Sequence, residues 1–150
     1  MLPISVPHKH TFRLIMSTES PQVKAVRRYI DYLKVLNFTE IEKLLAVDFV
    51  QDTRPMSLRV PIKDKDEYKV FLYRLAEQLE GRSIEIDNVR IADASVLAKK
   101  VFAHFTIHGK PLGGEPFDME AIYIFTFSQA DTKIRILATF VDSKHYPWAT

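Results

Sequence analysis

A chain of 150 residues is long enough to bury one sizeable core and too short for two. Its 21 basic and 19 acidic residues leave a net charge of +2, with 47% hydrophobic and 27% charged residues. That balance excludes a disordered or collagen-like chain and lacks the one-sided basic surface expected of a nucleic-acid binder. Zero cysteines exclude disulfides, a thiolate nucleophile and Cys-ligated zinc, and fit a reducing compartment. The longest apolar run, Ala121–Phe125, is far short of the ~20 residues of a spanning helix. The first residues carry Pro3, Pro7, His8, His10 and Arg13 without a sustained apolar stretch, so no secretory signal is read. The expected location is cytosolic, with neither membrane nor nucleic acid as partner.

Residues Met1–Glu19 read as an irregular arm because Pro3 and Pro7 interrupt any period. Residues 20–150 read as one domain. Ser20-Pro21 is an N-cap followed by proline at the first helical position. Val23, Val26, Tyr29, Ile30 and Leu33 recur at three- and four-residue spacing, which predicts a helix from Pro21 to about Leu36. Thr39-Glu40-Ile41-Glu42 has the form of a capping box opening a second, short helix that ends near Val47. A strand over Asp48–Arg54 is stopped by Pro55. Asp64, with Glu67 three residues on, caps a third helix whose apolar stripe is Tyr68, Phe71, Leu72, Leu75 and Leu79, and Gly81 supplies a left-handed stop.

Beyond Gly81 the apolar period changes from 3.6 to 2. Ser83–Ile91, Val96–His108, Phe117–Ser128 and Lys133–Val141 are four predicted strands, separated by Ala92–Ser95, by Gly109–Pro116 with its Gly113-Gly114, and by Gln129–Thr132. The order α-α-β-α-β-β-β-β predicts an α+β class, with three N-terminal helices on a curved, mainly antiparallel sheet. Such a sheet closed by helices encloses a pocket, and ten Phe, six Tyr and one Trp are suited to line it.

Alternation sends Met119, Ala121, Tyr123, Phe125 and Phe127 to one side of the penultimate strand, and Val101, Ala103, Phe105 and Ile107 to one side of the strand before it. These are the candidate cavity walls. Ile122 and Ile124, of opposite parity, suit an outer, dimer-forming face. On the first strand, an inward Asp52 would bring Val50 and Arg54 with it. In an aromatic cavity desolvation would raise the Asp52 pKa toward a useful range for proton transfer, whereas pairing with Arg54 would hold it ionised. Tyr29 and Tyr123 are candidate donors to a substrate carbonyl or enolate, and Thr139 is a candidate polar contact. His104 and His108 lie four apart on a strand, ~13 Å at ~3.3 Å per residue, too far for one metal ion. No metal is expected. Gly113-Gly114 sits in a hairpin loop without the helix or Lys-Ser/Thr pair of a phosphate cradle, and no nucleophile elbow is present.

The strand Asp48-Phe49-Val50-Gln51-Asp52, the segment Arg54-Pro55-Met56-Ser57-Leu58 with Pro61, the group Glu67-Tyr68 with Phe71, and the final Ile136–Ser143 together resemble the SnoaL-like branch of the nuclear transport factor 2-like superfamily. Within it they are similar to small fungal isomerases and cyclases of meroterpenoid pathways. The resemblance covers about Ser20 to Lys144. It implies a cone-shaped half barrel, dimeric through the outer sheet face. Ketosteroid isomerase members place a carboxylate base on the first strand, where Asp52 stands, and a tyrosine on the first helix, matched by Tyr29 to within one residue. Their third group, an acid on the penultimate strand, is replaced here by Tyr123. The Asp-Arg-Asp set of epoxide-hydrolase relatives is absent, those positions reading Val101, Lys99 and Thr139.

The expected function is therefore a cofactor-independent isomerase, cyclase or lyase acting by proton transfer on a bulky apolar small molecule. Asp52 is the expected base, Tyr29 and Tyr123 are the donors, and Arg54, Val50, Tyr68, Phe71, Val101, Phe105, Met119, Phe125 and Thr139 are the binding residues. The alternatives are a non-catalytic ligand-binding or dimeric module of the same fold, favoured by a filled interior or an outward Asp52, and an adaptor with an exposed apolar sheet face.

Overall fold

The computed structural model describes residues 18–129 and 132–142. Most of the N-terminal arm, His145 and the Pro147-Trp148 tail lie outside the described residues. Helix α1 (Pro21–Lys34) starts as expected, with the Ser20 side chain accepting from the Val23 N–H at 3.1 Å. It buries Val23, Ala25, Val26, Tyr29, Ile30 and Leu33. Helix α2 (Phe38–Glu42) is shorter than expected and is capped by Asn37 rather than Thr39, the Asn37 Oδ1 accepting from Glu40 N–H at 3.3 Å. Phe38 and Ile41 pull that single turn onto the core, and the strand begins three residues earlier than the sequence suggests.

Strand β1 (Leu45–Arg54) ends at a cis Arg54–Pro55 bond, and β2 (Lys63–Asp64) is a two-residue edge. Helix α3 (Lys65–Gln78) opens with the full capping box between Asp64 and Glu67. Gly81 takes the left-handed conformation (φ 73°) that a side chain would disfavour. Then follow β3 (Glu85–Ala94), α4 (Ser95–Ala98), β4 (Lys100–Gly109), β5 (Phe117–Phe127) and β6 (Ile134–Val141). The expected strand from Val96 is instead a helical turn. Asp93 Oδ1 accepts from the Ser95 N–H at 2.9 Å, and Lys99 leaves the turn left-handed, so Val96 and Leu97 point to solvent.

The six strands form one open sheet, ordered β2-β1-β6-β5-β4-β3. Every pair is antiparallel except β1 with β6, which run parallel. The class is thus α+β with a mixed sheet. Two long helices, α1 and α3, cover one face, joined by the short α2; a fourth helix, α4, which the sequence does not suggest, lies far along the chain. One continuous core lies between α1, α3 and that face, including Phe49, Phe105, Phe125, Leu137 and Ile134. Burying each such side chain contributes about 1.5–3 kcal/mol. Among the described residues no helix is long and apolar enough to cross a membrane.

Candidate functional site

Alternation on β4 and β5 places the expected walls. Val101, Ala103, Phe105 and Ile107 on β4, and Met119, Ala121, Tyr123, Phe125 and Phe127 on β5, are all buried. The two sets lie side by side on one sheet face through register pairs such as Ala103↔Tyr123 and Phe105↔Ala121. Tyr29 descends onto them from α1, with its ring 5.2 Å from Phe125 edge-on and 6.4 Å from Tyr123. Tyr123 in turn meets Phe105 at 4.9 Å. From α3, Tyr68 lies 5.5 Å from Phe49 and stacks on Phe71 at 6.2 Å.

Strand β1 has the opposite phase from that required for an inward acid. Phe49, Gln51 and Thr53 are buried, while Val50, Asp52 and Arg54 are only partly covered and lie on the other face. The physical reason is the large apolar side chain at Phe49: with a period of 2, burying it carries Gln51 and Thr53 inward with it. Asp52, Arg54 and Val50 are therefore not brought to the cavity. Arg54 instead donates to Asp52 Oδ2 from Nε at 3.0 Å, and its Nη2 lies 2.9 Å from the same oxygen in an ion pair.

A cavity of about 40 Å³ remains between α1, α3 and the sheet, lined among others by Gln51, Tyr68, Phe71, Met119, Tyr123 and Thr139. At ~10–15 Å³ per water it holds roughly three waters, and it is far smaller than the ~300–1,000 Å³ of ordinary ligand pockets. No carboxylate lines it among the described residues. Val101, Phe105 and Phe125 are buried behind the walls rather than lining the space. Phe71 and Leu75 are shared with an open surface groove of about 630 Å³, bounded also by Val60, Pro61, Lys63 and Val70. They form a thin partition between the interior and the surface. Lys63 sits 4.8 Å over the Phe71 ring, and burial holds its pKa below the usual lysine value although Glu67 pulls it back up.

Two polar devices stand in this apolar setting. The hydroxyls of Tyr29 and Tyr68 are hydrogen-bonded to one another inside the core. Burial pushes the Tyr29 pKa well above the usual phenol value, and the neighbouring Tyr68 and Tyr123 add to it. Tyr29 is consequently a neutral phenol, able to donate and poorly able to become a base. The second device is not among the residues expected from sequence. Gln51 is 3% exposed, and its Nε2 donates to Thr53 Oγ1 and to Thr139 Oγ1, each at 2.8 Å. Its Oε1 has no hydrogen-bond partner among the described residues. A buried acceptor without a donor costs about 1–3 kcal/mol, so its position on the cavity wall calls for one. The signal lies in the sequence all the same: Gln51 and Thr53 share parity with Phe49.

On the outer face, His108 bridges two strands, with Nδ1 2.5 Å from Asp118 Oδ1 and Nε2 3.0 Å from Asp87 Oδ1. His104 lies 3.5 Å from Glu120. Both histidines face away from the cavity, and among the described residues no cluster suited to a metal ion exists.

Residues 26–136 match the model of a family described as the SnoaL-like domain. No curated protein matches the chain. Among solved structures it is similar to AusH from Aspergillus nidulans, with 20% identity over 84% of this chain and 86% of that one, at a TM-score of 0.72. It is similar also to BvnE pinacolase from Penicillium brevicompactum, with 16% identity over 82% and 86% and a TM-score of 0.73. For PrhC from Penicillium brasilianum the values are 10% identity, 82% and 81% coverage, and a TM-score of 0.72. At these identities the likeness is one of fold.

Proposed function

The chain belongs to the SnoaL-like domain family, and from that premise we propose that it is a small-molecule enzyme of the isomerase or cyclase type. The observation that carries the reading is the Tyr29–Tyr68 hydroxyl pair, buried beside Tyr123 in an aromatic interior. In this reading Tyr29 donates to Tyr68, and the Tyr68 proton is directed to a substrate oxygen, with Tyr123 as a second donor. The phenols stay protonated because a buried phenolate is disfavoured. They therefore act by stabilising charge that builds on the substrate oxygen while the substrate's own bonds rearrange, which is the role of an oxyanion hole. Donor chains of this kind strengthen one another in a low-dielectric interior. The wider family context supports the chemistry: one structural neighbour is named a pinacolase.

The substrate's apolar body would lie in the groove beside Val60, Pro61 and Val70, since the interior has room only for a head group. A second copy of the chain would sit on the outer sheet face, where Phe102, Ile122 and Phe140 are partly exposed.

Metabolite profiling of a strain lacking the gene tests the function. A compound that accumulates should be converted by the purified protein, without added cofactor, to a product of equal mass or of that mass less water. Tyr68→Phe should slow the conversion about a hundredfold. Absence of any converted metabolite, or an unaffected Tyr68→Phe, would sink the reading.

A second reading, a non-catalytic ligand-binding module, is favoured by two observations: the interior is nearly filled, and Asp52 faces away from it. Tight binding of an accumulated metabolite without its conversion would establish that alternative.

A further inference from the structure

The Tyr29–Tyr68 pair directs a donor toward the cavity, and a donor by itself does not distinguish a carbonyl oxygen from a hydroxyl oxygen. Gln51 changes that. Its Oε1 is an acceptor on the cavity wall, while Nε2 donates to Thr53 from the same strand and to Thr139 from the adjacent parallel strand β6. Thr53 and Thr139 are themselves register partners across β1 and β6, so the amide is held by both strands. All three residues are at least nine-tenths buried, and Gln51 and Thr139 share the cavity lining with Tyr68 and Tyr123.

We infer that Gln51 Oε1 is the acceptor for a hydroxyl group of the ligand, and that the ligand is an apolar alcohol. Its hydroxyl enters the cavity past the Phe71–Leu75 partition while its body stays in the groove outside. This rests on the reading of the cavity as a small-molecule site and adds the chemistry of the head group. A ligand carrying a hydroxyl donates to Gln51 and accepts from a phenol. A ketone of the same shape accepts from the phenol alone and leaves Gln51 unmet. The shape of the two spaces agrees: the interior suits a group of a few heavy atoms, and the large volume lies on the surface side of Phe71 and Leu75.

The test needs no turnover. Cyclohexanol and cyclohexanone, matched in size and differing in the donor, are titrated separately into the full-length protein and followed by amide and methyl chemical shifts. The alcohol should bind about fivefold more tightly than the ketone, with shifts centred on Gln51, Thr139 and Phe71. Gln51→Met, which keeps the volume and removes the acceptor, should abolish that preference while leaving ketone affinity within about twofold. Equal affinities in the unmodified protein, a preference for the ketone, retention of the alcohol preference in Gln51→Met, or no binding of either probe would each overturn the inference. So would a crystal structure with cyclohexanol bound in which an ordered water still occupies the Gln51 acceptor. If the variant does not fold, the relative affinity of the unmodified protein for the two probes still decides the matter. Because affinity is read rather than conversion, the alcohol preference can hold in a protein that catalyses nothing, and can fail in one that does.

Discussion

Arg54 clasps a single carboxylate oxygen of Asp52, two residues back on the same strand, through both Nε and Nη2, at 3.0 Å and 2.9 Å. The pair lies on the sheet face turned away from the tyrosines. It reinforces the end of β1, where Pro55 stops the ladder, and takes no part in the cavity. Asp52→Asn is therefore expected to change turnover by less than about twofold, and to lower stability by no more than about 1 kcal/mol, the range for a partly exposed ion pair. Steady-state kinetics on the identified substrate, paired with urea unfolding, measure both. A rate loss of a hundredfold or more would return the base to Asp52.

Tyr29 and Tyr68 make a second, opposite case. Removing either hydroxyl deprives its buried partner of that bond, at a cost of about 1–3 kcal/mol in stability. Their effects on rate should differ, because Tyr68 lines the cavity and Tyr29 acts through it. Tyr68→Phe is expected to lose about a hundredfold and Tyr29→Phe about tenfold, with the double variant no slower than Tyr68→Phe alone. Multiplicative losses in the double variant would show that the two phenols act separately.

The His108 bridge gives the fold a pH dependence. Hydrogen bonds to Asp118 first and Asp87 second hold the His108 pKa above its ordinary value of 6.5. A raised folded pKa contributes stability that is fully present below the unfolded value and is lost as pH rises through the folded one. The contribution is small, since Asp87 and Asp118 are largely exposed. Thermal unfolding between about pH 5.5 and about pH 8.5 should show the folded state losing stability with rising pH, and His108→Gln should flatten the slope. An unchanged slope in the variant would mean that other groups carry it.

Gly109 and Phe117 are register partners on β4 and β5, and the Phe117 ring covers the glycine. A Cβ at Gly109 would fall 2.7 Å from Phe117 Cζ and 2.8 Å from Cε1. Gly109→Ala must displace that ring, with Leu79 Cδ2 also only 3.4 Å from the new Cβ, and is expected to destabilise by about 1–3 kcal/mol. Combining it with Phe117→Ala should recover part of the loss, as denaturant midpoints of the three variants would show. Additive losses would mean that the contact is not the cause.

The sheet's later strands are legible in sequence because their alternation is clean: on β5 the run from Met119 to Phe127 puts every aromatic at one parity. Strand β1 is ambiguous because apolar residues fall on both parities, with Phe49 on one and Val50 on the other. The charged residues decide it. Asp48, Asp52 and Arg54 share a parity, and burying that set costs far more than burying Gln51 and Thr53, whose polar atoms bond one another. A search for an acidic base favours the wrong face for the same reason. The turn at Ser95–Ala98 is hidden by Val96 and Leu97, whose apolar side chains suggest a strand that the Ser95 N–H, donating to the Asp93 side chain, overrides. The small volume of the cavity depends on how α3 seats against the sheet, which no local pattern encodes.

The parallel seam between β1 and β6 joins residues about ninety positions apart, such as Thr53 and Thr139. Its closure must await nearly the whole sheet, so contacts of this separation slow folding. A nascent chain that has delivered α1, α3 and β1 still lacks the strand against which β1 is buried. The amide of Gln51 gains its second anchor only when Thr139 arrives. The ligand-recognising wall is thus complete only once β6 has paired with β1, and a truncation ahead of Ile134 would leave both an open strand edge and an unfinished site.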